Sequence, residues 1–228
     1  MRYLAEISDQ NGEVKNFGIL LKGQSLELLS KYSHEFQSCF IVSDFDDELP
    51  SVKDLIQRKK IIHFTNRSKQ AQLSRNSYKI YNIKDIQAGQ IFRWCHFRLM
   101  QAALYRFMLN PRIKFHFLPE HLLSLNDELP LEYQYKFPNT GILSVLFALN
   151  IIKPKNLWIF GLDFYEAPYM NIQTQSTNLS IRDQNQKIER LNLKNFLFEN
   201  IKQNNSTVVH LASYAKEIPQ ISNLIKLS

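Results

Sequence analysis

Asn156-Leu157-Trp158-Ile159-Phe160-Gly161-Leu162-Asp163-Phe164-Tyr165 is the stretch on which the reading of this chain turns. Residues 157 to 160 are apolar without interruption, so no alternation separates an inner face from an outer one. A short run of that kind fits a strand covered on both faces. It stops at Gly161 and delivers a carboxylate and a phenol to whatever lies beyond. Working outward, Asn16–Leu21 (NFGILL), Ser38–Ser43 (SCFIVS) and Lys60–Thr65 (KIIHFT) read as further buried strands. Ile113–Phe117 and Thr207–Leu211 are strand-like, and Ser77–Tyr81 is a weaker candidate. Helical patterns fall between them. One begins at Leu26 with Ser25 as its N-cap, and a long one covers Ile86–Leu109 and is stopped by Pro111. His121–Leu125 reads as a short helix, Gly141–Asn150 as a very apolar one, Asp183–Lys202 as an amphipathic one and Tyr214–Lys226 as the last. Strands alternating with helices predict one α/β domain over residues 1–228, a single doubly wound, mostly parallel, Rossmann-like sheet.

Composition agrees and excludes other classes. With 228 residues, 44% apolar and 21% charged, the chain can bury one large core and is neither disordered nor fibrous. Its two cysteines, Cys39 and Cys95, lie in apolar runs and read as buried thiols of a reducing compartment. They make no disulfide scaffold, and with scattered histidines they make no zinc set, so no metal site is expected. The most apolar long stretch, Ile86–Leu109, carries Arg93, Arg98 and Arg106, which are costly in lipid. The opening MRYLAEISDQNGEVKN lacks the apolar core of a signal peptide. A cytoplasmic location is the expectation.

Charge is unevenly spread. Residues 52–116 hold 14 basic and 2 acidic side chains within a total balance of +7. Such a stretch attracts anionic small molecules or an anionic membrane surface, and equally fits a solvated basic face. Nucleic acid is not the expected partner, since no zinc-finger spacing, RNP-like aromatic motif or GXXG clamp is present. The acidic run Asp44-Phe45-Asp46-Asp47-Glu48 reads as a solvated loop rather than a cation site.

In doubly wound sheets, ligands bind beyond the carboxyl ends of the strands. Three such ends carry signals. Lys22-Gly23-Gln24-Ser25 joins a strand to a helix, and its glycine allows close approach of backbone and ligand while the helix start offers N–H groups. An ordinary βα turn has the same signature, and the run is neither a dinucleotide fingerprint nor a Walker P-loop. Pro138-Asn139-Thr140-Gly141 opens the apolar helix, where Asn139 or Thr140 serves as a cap or as part of an anion site. Gly161-Leu162-Asp163-Phe164-Tyr165, with Tyr169 following, supplies an acceptor for a ribose or base and phenols able to donate to a phosphate oxygen.

Taken in order, these blocks resemble the bacterial sialyltransferases of glycosyltransferase family 42. That family's Gly-Asn-Gly-Pro-Ser-Leu turn is matched by Leu21-Lys22-Gly23-Gln24-Ser25-Leu26. Its Thr-Ser-Gly start, apolar helix and Gly-x-Asp-Phe-Tyr strand end are matched by Asn139-Thr140-Gly141, ILSVLFALN and Gly161-Leu162-Asp163-Phe164-Tyr165. The resemblance spans roughly residues 16–211 and is poor between about 75 and 135. A group of bacterial proteins linked to flagellin glycosylation shares the first turn.

The resemblance implies a GT-A-type fold and inverting, metal-independent transfer of sialic acid or a related acidic sugar from a CMP-activated donor to a glycan hydroxyl. It implies no cofactor besides the donor substrate. Gly23 and Ser25 would line the nucleotide, and Lys22, which stands where the family has Asn, would either pair with a donor phosphate or carboxylate or fill the nucleotide pocket. Asp44, also in place of an Asn, and Asn66 would face cytidine or sugar. Asn139, Thr140 and Gly141 would bind the donor near the helix start, Asp163 the nucleoside, and Tyr165 and Tyr169 the phosphate. The family's general base is a His after the Tyr loop. Here that segment, Ser176–Gln186, has no His, and Asp183 is its only acid. With an unperturbed pKa of about 4, Asp183 is a weak base unless burial raises it. A homologue that binds a nucleotide or a partner without catalysis is the alternative. An oligomer and peripheral contact with the inner membrane are compatible with either.

Overall fold

Parallel neighbours need crossovers, and the crossovers of this chain reverse direction once. The strands are β1 (Asn16–Leu20), β2 (Ser38–Val42), β3 (Lys60–Thr65), β4 (Gln90–Arg93), β5 (Lys114–Phe117), β6 (Asn156–Phe160), β7 (Val208–Ala212) and β8 (Leu224–Leu227). They form one sheet of eight in the order β5-β4-β3-β2-β1-β6-β7-β8, and every pairing is parallel. This is a Rossmann-like α/β sheet. The computed structural model describes residues 7–42, 48–65, 90–93, 114–117, 140–164, 166–167, 170 and 185–228.

The helices are α1 (Leu29–Tyr32), flanked by 3-10 turns over Gln24–Leu28 and Ser33–Glu35, then α2 (Leu49–Ile56), α3 (Thr140–Phe147, continued as a π turn over Ala148–Ile152) and α4 (Asn185–Gln203). Crossovers to one side of β1 and to the other must lie on opposite faces if both are right-handed. The two cores obey this. Phe17, Ile19, Phe40, Phe64 and Ile159 pack with residues of α3 and α4. Leu20, Ile41 and Phe160 pack with the α1 region and α2. Alternate strand residues thus serve opposite layers, which is why the strands read as unbroken apolar runs. Phe40 lies at the centre of the first core, with ring centroids 4.8 Å from Phe17, 5.2 Å from Phe64 and 6.2 Å from Phe147. On the other face, Gly18 leaves room for Phe36, whose ring would lie 2.5 Å from an added Cβ.

Several expectations are corrected. Residues 90–93 lie within the segment read as a long helix over Ile86–Leu109, yet they form β4 between β3 and β5. Short apolar runs satisfy either period, and pairing decides between them. The last segment is irregular and then strand β8 rather than a helix over Tyr214–Lys226, because Pro219 interrupts it and β7 offers an open edge. Helix α2 begins directly after the acidic run read as a solvated loop; Glu48, the last residue of that run, is buried instead, and Pro50 sits in the first turn of the helix, where a missing N–H costs nothing. Ser25 is not an N-cap; Gly23 holds that position. Ser77–Tyr81, His121–Leu125 and Cys95 lie outside the described residues.

Two groups, Lys59 buried and His210 half-buried, report on the second layer. Lys59 donates from Nζ to the Phe36 carbonyl at 2.6 Å and to the Ser33 carbonyl, closing the first crossover, and burial lowers its pKa. His210 stacks on Trp158 with centroids 3.9 Å apart, and its Nε2 lies 3.4 Å from Asn156 Oδ1. Burial lowers the His210 pKa, partly opposed by Glu35. The unfolded chain therefore binds this proton more readily than the folded one, and stability declines as pH falls below the unfolded value of about 6.5. Replacing His210 by Phe, which keeps a stacked ring, is expected to reduce the fall in Tm between pH 7 and pH 5, measured by calorimetry; an unaltered pH profile would contradict this. Burial also pushes the Cys39 thiol up to about 12. In a Cys95→Ser background, Cys39 is expected to resist an aromatic disulfide reagent at pH 8 and to react on unfolding in urea.

Candidate functional site at the β1–β6 switch point

The strand order reverses between β1 and β6, and the crevice at their carboxyl ends is where such sheets place ligands. The backbone ladder runs on past both strands, with Leu21 N–H donating to Phe160 O at 2.8 Å and Gly23 N–H to Gly161 O at 2.9 Å. Both glycines are required by this approach. Gly161 has φ 76, and a Cβ there would fall on the Leu21 carbonyl. A Cβ on Gly23 would collide with Asp163 Oδ2 and lie 2.5 Å from Gly161 O.

Asp163 is 3% exposed, and its carboxylate is shared between two chain segments. Oδ2 accepts from Ser25 N–H at 2.9 Å and Oδ1 from Tyr214 N–H at 2.8 Å. The buried Ser25 hydroxyl donates to Ala212 O at 2.9 Å and accepts from Gly161 N–H at 3.2 Å. Ser213 donates to Leu162 O at 2.6 Å. The carboxyl ends of β1, β6 and β7 are thereby sewn together by one carboxylate and two hydroxyls. Charge-assisted bonds to backbone N–H groups are the strong class, and burying the carboxylate is tolerable only with such partners.

The loop beyond β6 is fastened as well. Glu166 N–H donates to Asp163 O at 2.8 Å, Met170 N–H donates to Lys22 O at 2.9 Å, and Lys216 N–H donates to Glu166 Oε2 at 2.8 Å. Burial alone would raise the Glu166 carboxyl, but bonds from Lys194 and from the Lys216 N–H hold it below the usual range. Lys22 places its ammonium 3.5 Å from the buried carboxylate of Glu48. The Tyr214 hydroxyl donates to Glu27, and that bond pushes the phenol up to about 12.

Of the residues singled out in the sequence, Lys22, Gly23, Ser25 and Asp163 are brought together here. Thr140 and Gly141 open α3, which leads by a short turn into β6. The sequence reading expects N–H groups of the first turn to be open to an anion, but that of Ser25 is held by Asp163. Tyr165, Tyr169, Asp183, Asp44, Asn66 and Asn139 lie outside the described residues. Sequence reasoning missed the β7 end, Ala212-Ser213-Tyr214, whose small residues after an apolar run are the only local hint, and it missed Lys194, which sits in an unremarked polar stretch of α4. Among the described residues, no group of three or more His, Cys, Asp or Glu could hold a metal ion. No described helix is long and apolar enough to cross a membrane.

No model of a known protein family matches the chain, and neither a curated protein nor a solved structure matches it.

Asp163→Asn tests the brace. Its single side-chain oxygen can satisfy one of the two N–H groups, while its amide confronts the other. Destabilisation by about 2–4 kcal/mol is expected, read as a lower urea midpoint at unchanged slope; an unmoved midpoint would show that the brace is dispensable.

Proposed function

We propose that this protein is a sialyltransferase-like glycosyltransferase of GT-A type, transferring sialic acid or a related acidic sugar from a CMP-activated donor to a glycan hydroxyl with inversion and without a metal. One observation supports the reading above others. Two of the three blocks that carry the family resemblance, Lys22-Gly23-Gln24-Ser25 and Gly161-Leu162-Asp163, are far apart in sequence and meet at the switch point, bonded through Ser25 N–H and Asp163.

The chemistry proposed is charge stabilisation on the leaving phosphate. As the glycosidic bond breaks, negative charge gathers on the CMP oxygens, and fixed donors aimed at them favour the transition state over the ground state. Tyr165 and Tyr169 are assigned that role, with Lys22, Gly23, Asn139, Thr140 and Gly141 on the donor, Asp44 and Asn66 on cytidine or sugar, and Asp183 as base toward the acceptor. Ser25 and Asp163 act here chiefly by holding the crevice in shape, since each spends its polar atoms on backbone partners.

The expected results are CMP binding by calorimetry, release of CMP from CMP-sialic acid in the presence of a chelator, and a fall of at least about 100-fold in that release for Tyr165→Phe with Tyr169→Phe. Unchanged turnover in the double variant would remove the phosphate role. The absence of His from Ser176–Gln186 favours one second reading, a binding protein without catalysis. CMP binding with no CMP release would establish it in place of the transferase.

A further inference from the structure

Phe164 stands at the head of the loop that leaves β6, and its backbone is left-handed, with φ 51. A bulky residue there is strained and persists only where its surroundings hold it. On one side, Asp163 is pinned through both carboxylate oxygens to Ser25 and Tyr214. On the other, Glu166 N–H closes a tight turn onto Asp163 O, and the Glu166 carboxylate bonds Lys194 Nζ at 2.5 Å and Lys216 N–H at 2.8 Å. Lys194 also lies 5.3 Å above the Phe164 ring, which packs against Phe198 at 5.5 Å. Farther on, Met170 N–H is tied to Lys22 O. The chain therefore leaves the end of β6 and is fastened again just past the end of β1, the two strands that bound the crevice.

The Lys194 side chain is only 6% exposed and projects from α4, the element that adds Leu197, Phe198 and Ile201 to the core. A hydrophobic residue would fill such a position at lower desolvation cost, so a buried ammonium calls for a reason beyond packing. We propose that Lys194 is a positioning residue that, through Glu166 and the Phe164 ring, clamps the start of the strap beyond β6 in the strained turn at Phe164 and so sets the shape of the β1–β6 crevice for its anionic ligand. Neither Lys194 nor Glu166 needs to touch that ligand. The identity of the ligand rests on the function proposed above; the clamp itself does not.

The test compares wild type with Lys194→Met, Lys194→Arg and Glu166→Gln by peptide-resolved hydrogen exchange, together with CMP calorimetry and CMP release from CMP-sialic acid. Lys194→Met is expected to accelerate exchange in peptides covering 164–170 by tenfold or more while β1 and β6 keep their protection. CMP release should fall about 10- to 100-fold, as small misplacements near reacting groups do. Lys194→Arg should restore both, and Lys194→Met combined with Glu166→Gln should be no worse than Lys194→Met. Unchanged exchange over 164–170 in a folded Lys194→Met variant overturns the proposal, as does an equal loss of protection throughout the sheet. If Lys194→Met does not fold, Glu166→Gln, at a partly exposed position, gives the same decision. A wild type that ignores CMP defeats the nucleotide reading, and exchange over the strap still decides the clamp.

Discussion

Two glycines and one carboxylate govern the arrangement at the carboxyl edge of the central strands. Gly23 and Gly161 approach so closely that a Cβ on either would strike the other's segment or Asp163. That approach lets the β1–β6 ladder continue beyond the strands, and it brings Asp163 within reach of Ser25 and, across β6, of Tyr214. A buried carboxylate with two backbone donors is a strong tie because the alternative is an unpaired charge away from water. The ends of three strands therefore hold one shape, and any ligand at the crevice meets a surface already formed.

The same economy of partners explains what lies around it. Ser25 uses its hydroxyl twice, once toward β7 and once toward Gly161. Residues that in sequence look like ligand contacts are, in part, the mortar between strands. This does not diminish the site, since donors aimed at a developing charge act best when they cannot reorganise. It shifts attention to the loop beyond Asp163, where strain at Phe164, the Lys194–Glu166 pair and the tie at Lys22 converge. Strain of that kind is kept where the surrounding structure over-determines the backbone.

The layering follows from handedness more than from any single contact. Crossovers that move from β1 toward β3 cover one face, and those around β6 and β7 cover the other, so the central strands β1, β2 and β6 are buried on both faces. Among the described residues, buried polar groups tie neighbouring elements together. Lys59 closes the first crossover, and Asn223 donates to Ile201, Asn204 and Thr207, joining the end of α4 to the start of β7.

How far the sequence reaches can be seen residue by residue. The runs NFGIL, SCFIV, KIIHFT and NLWIF are strands at almost the bounds read from them, because burial on both faces imposes an unbroken apolar signature that needs no partner to be recognised. Alternation with helices likewise determines the α/β class. Gln90–Arg93 and Leu224–Leu227 were illegible, since a four-residue strand takes its identity from the neighbour it pairs with, and no local period records that neighbour. Gly23, Ser25 and Asp163 could be picked out one by one from strand ends. That Asp163 would spend its charge on Ser25 and Tyr214, and that Lys194 from α4 would fasten Glu166, depends on segments brought together only when the sheet reverses its order at β1. Local composition determined which segments become strands; the tertiary structure alone decided which polar groups meet, because hydrogen bonds and ion pairs act over a few ångströms and the chain order carries no such distances.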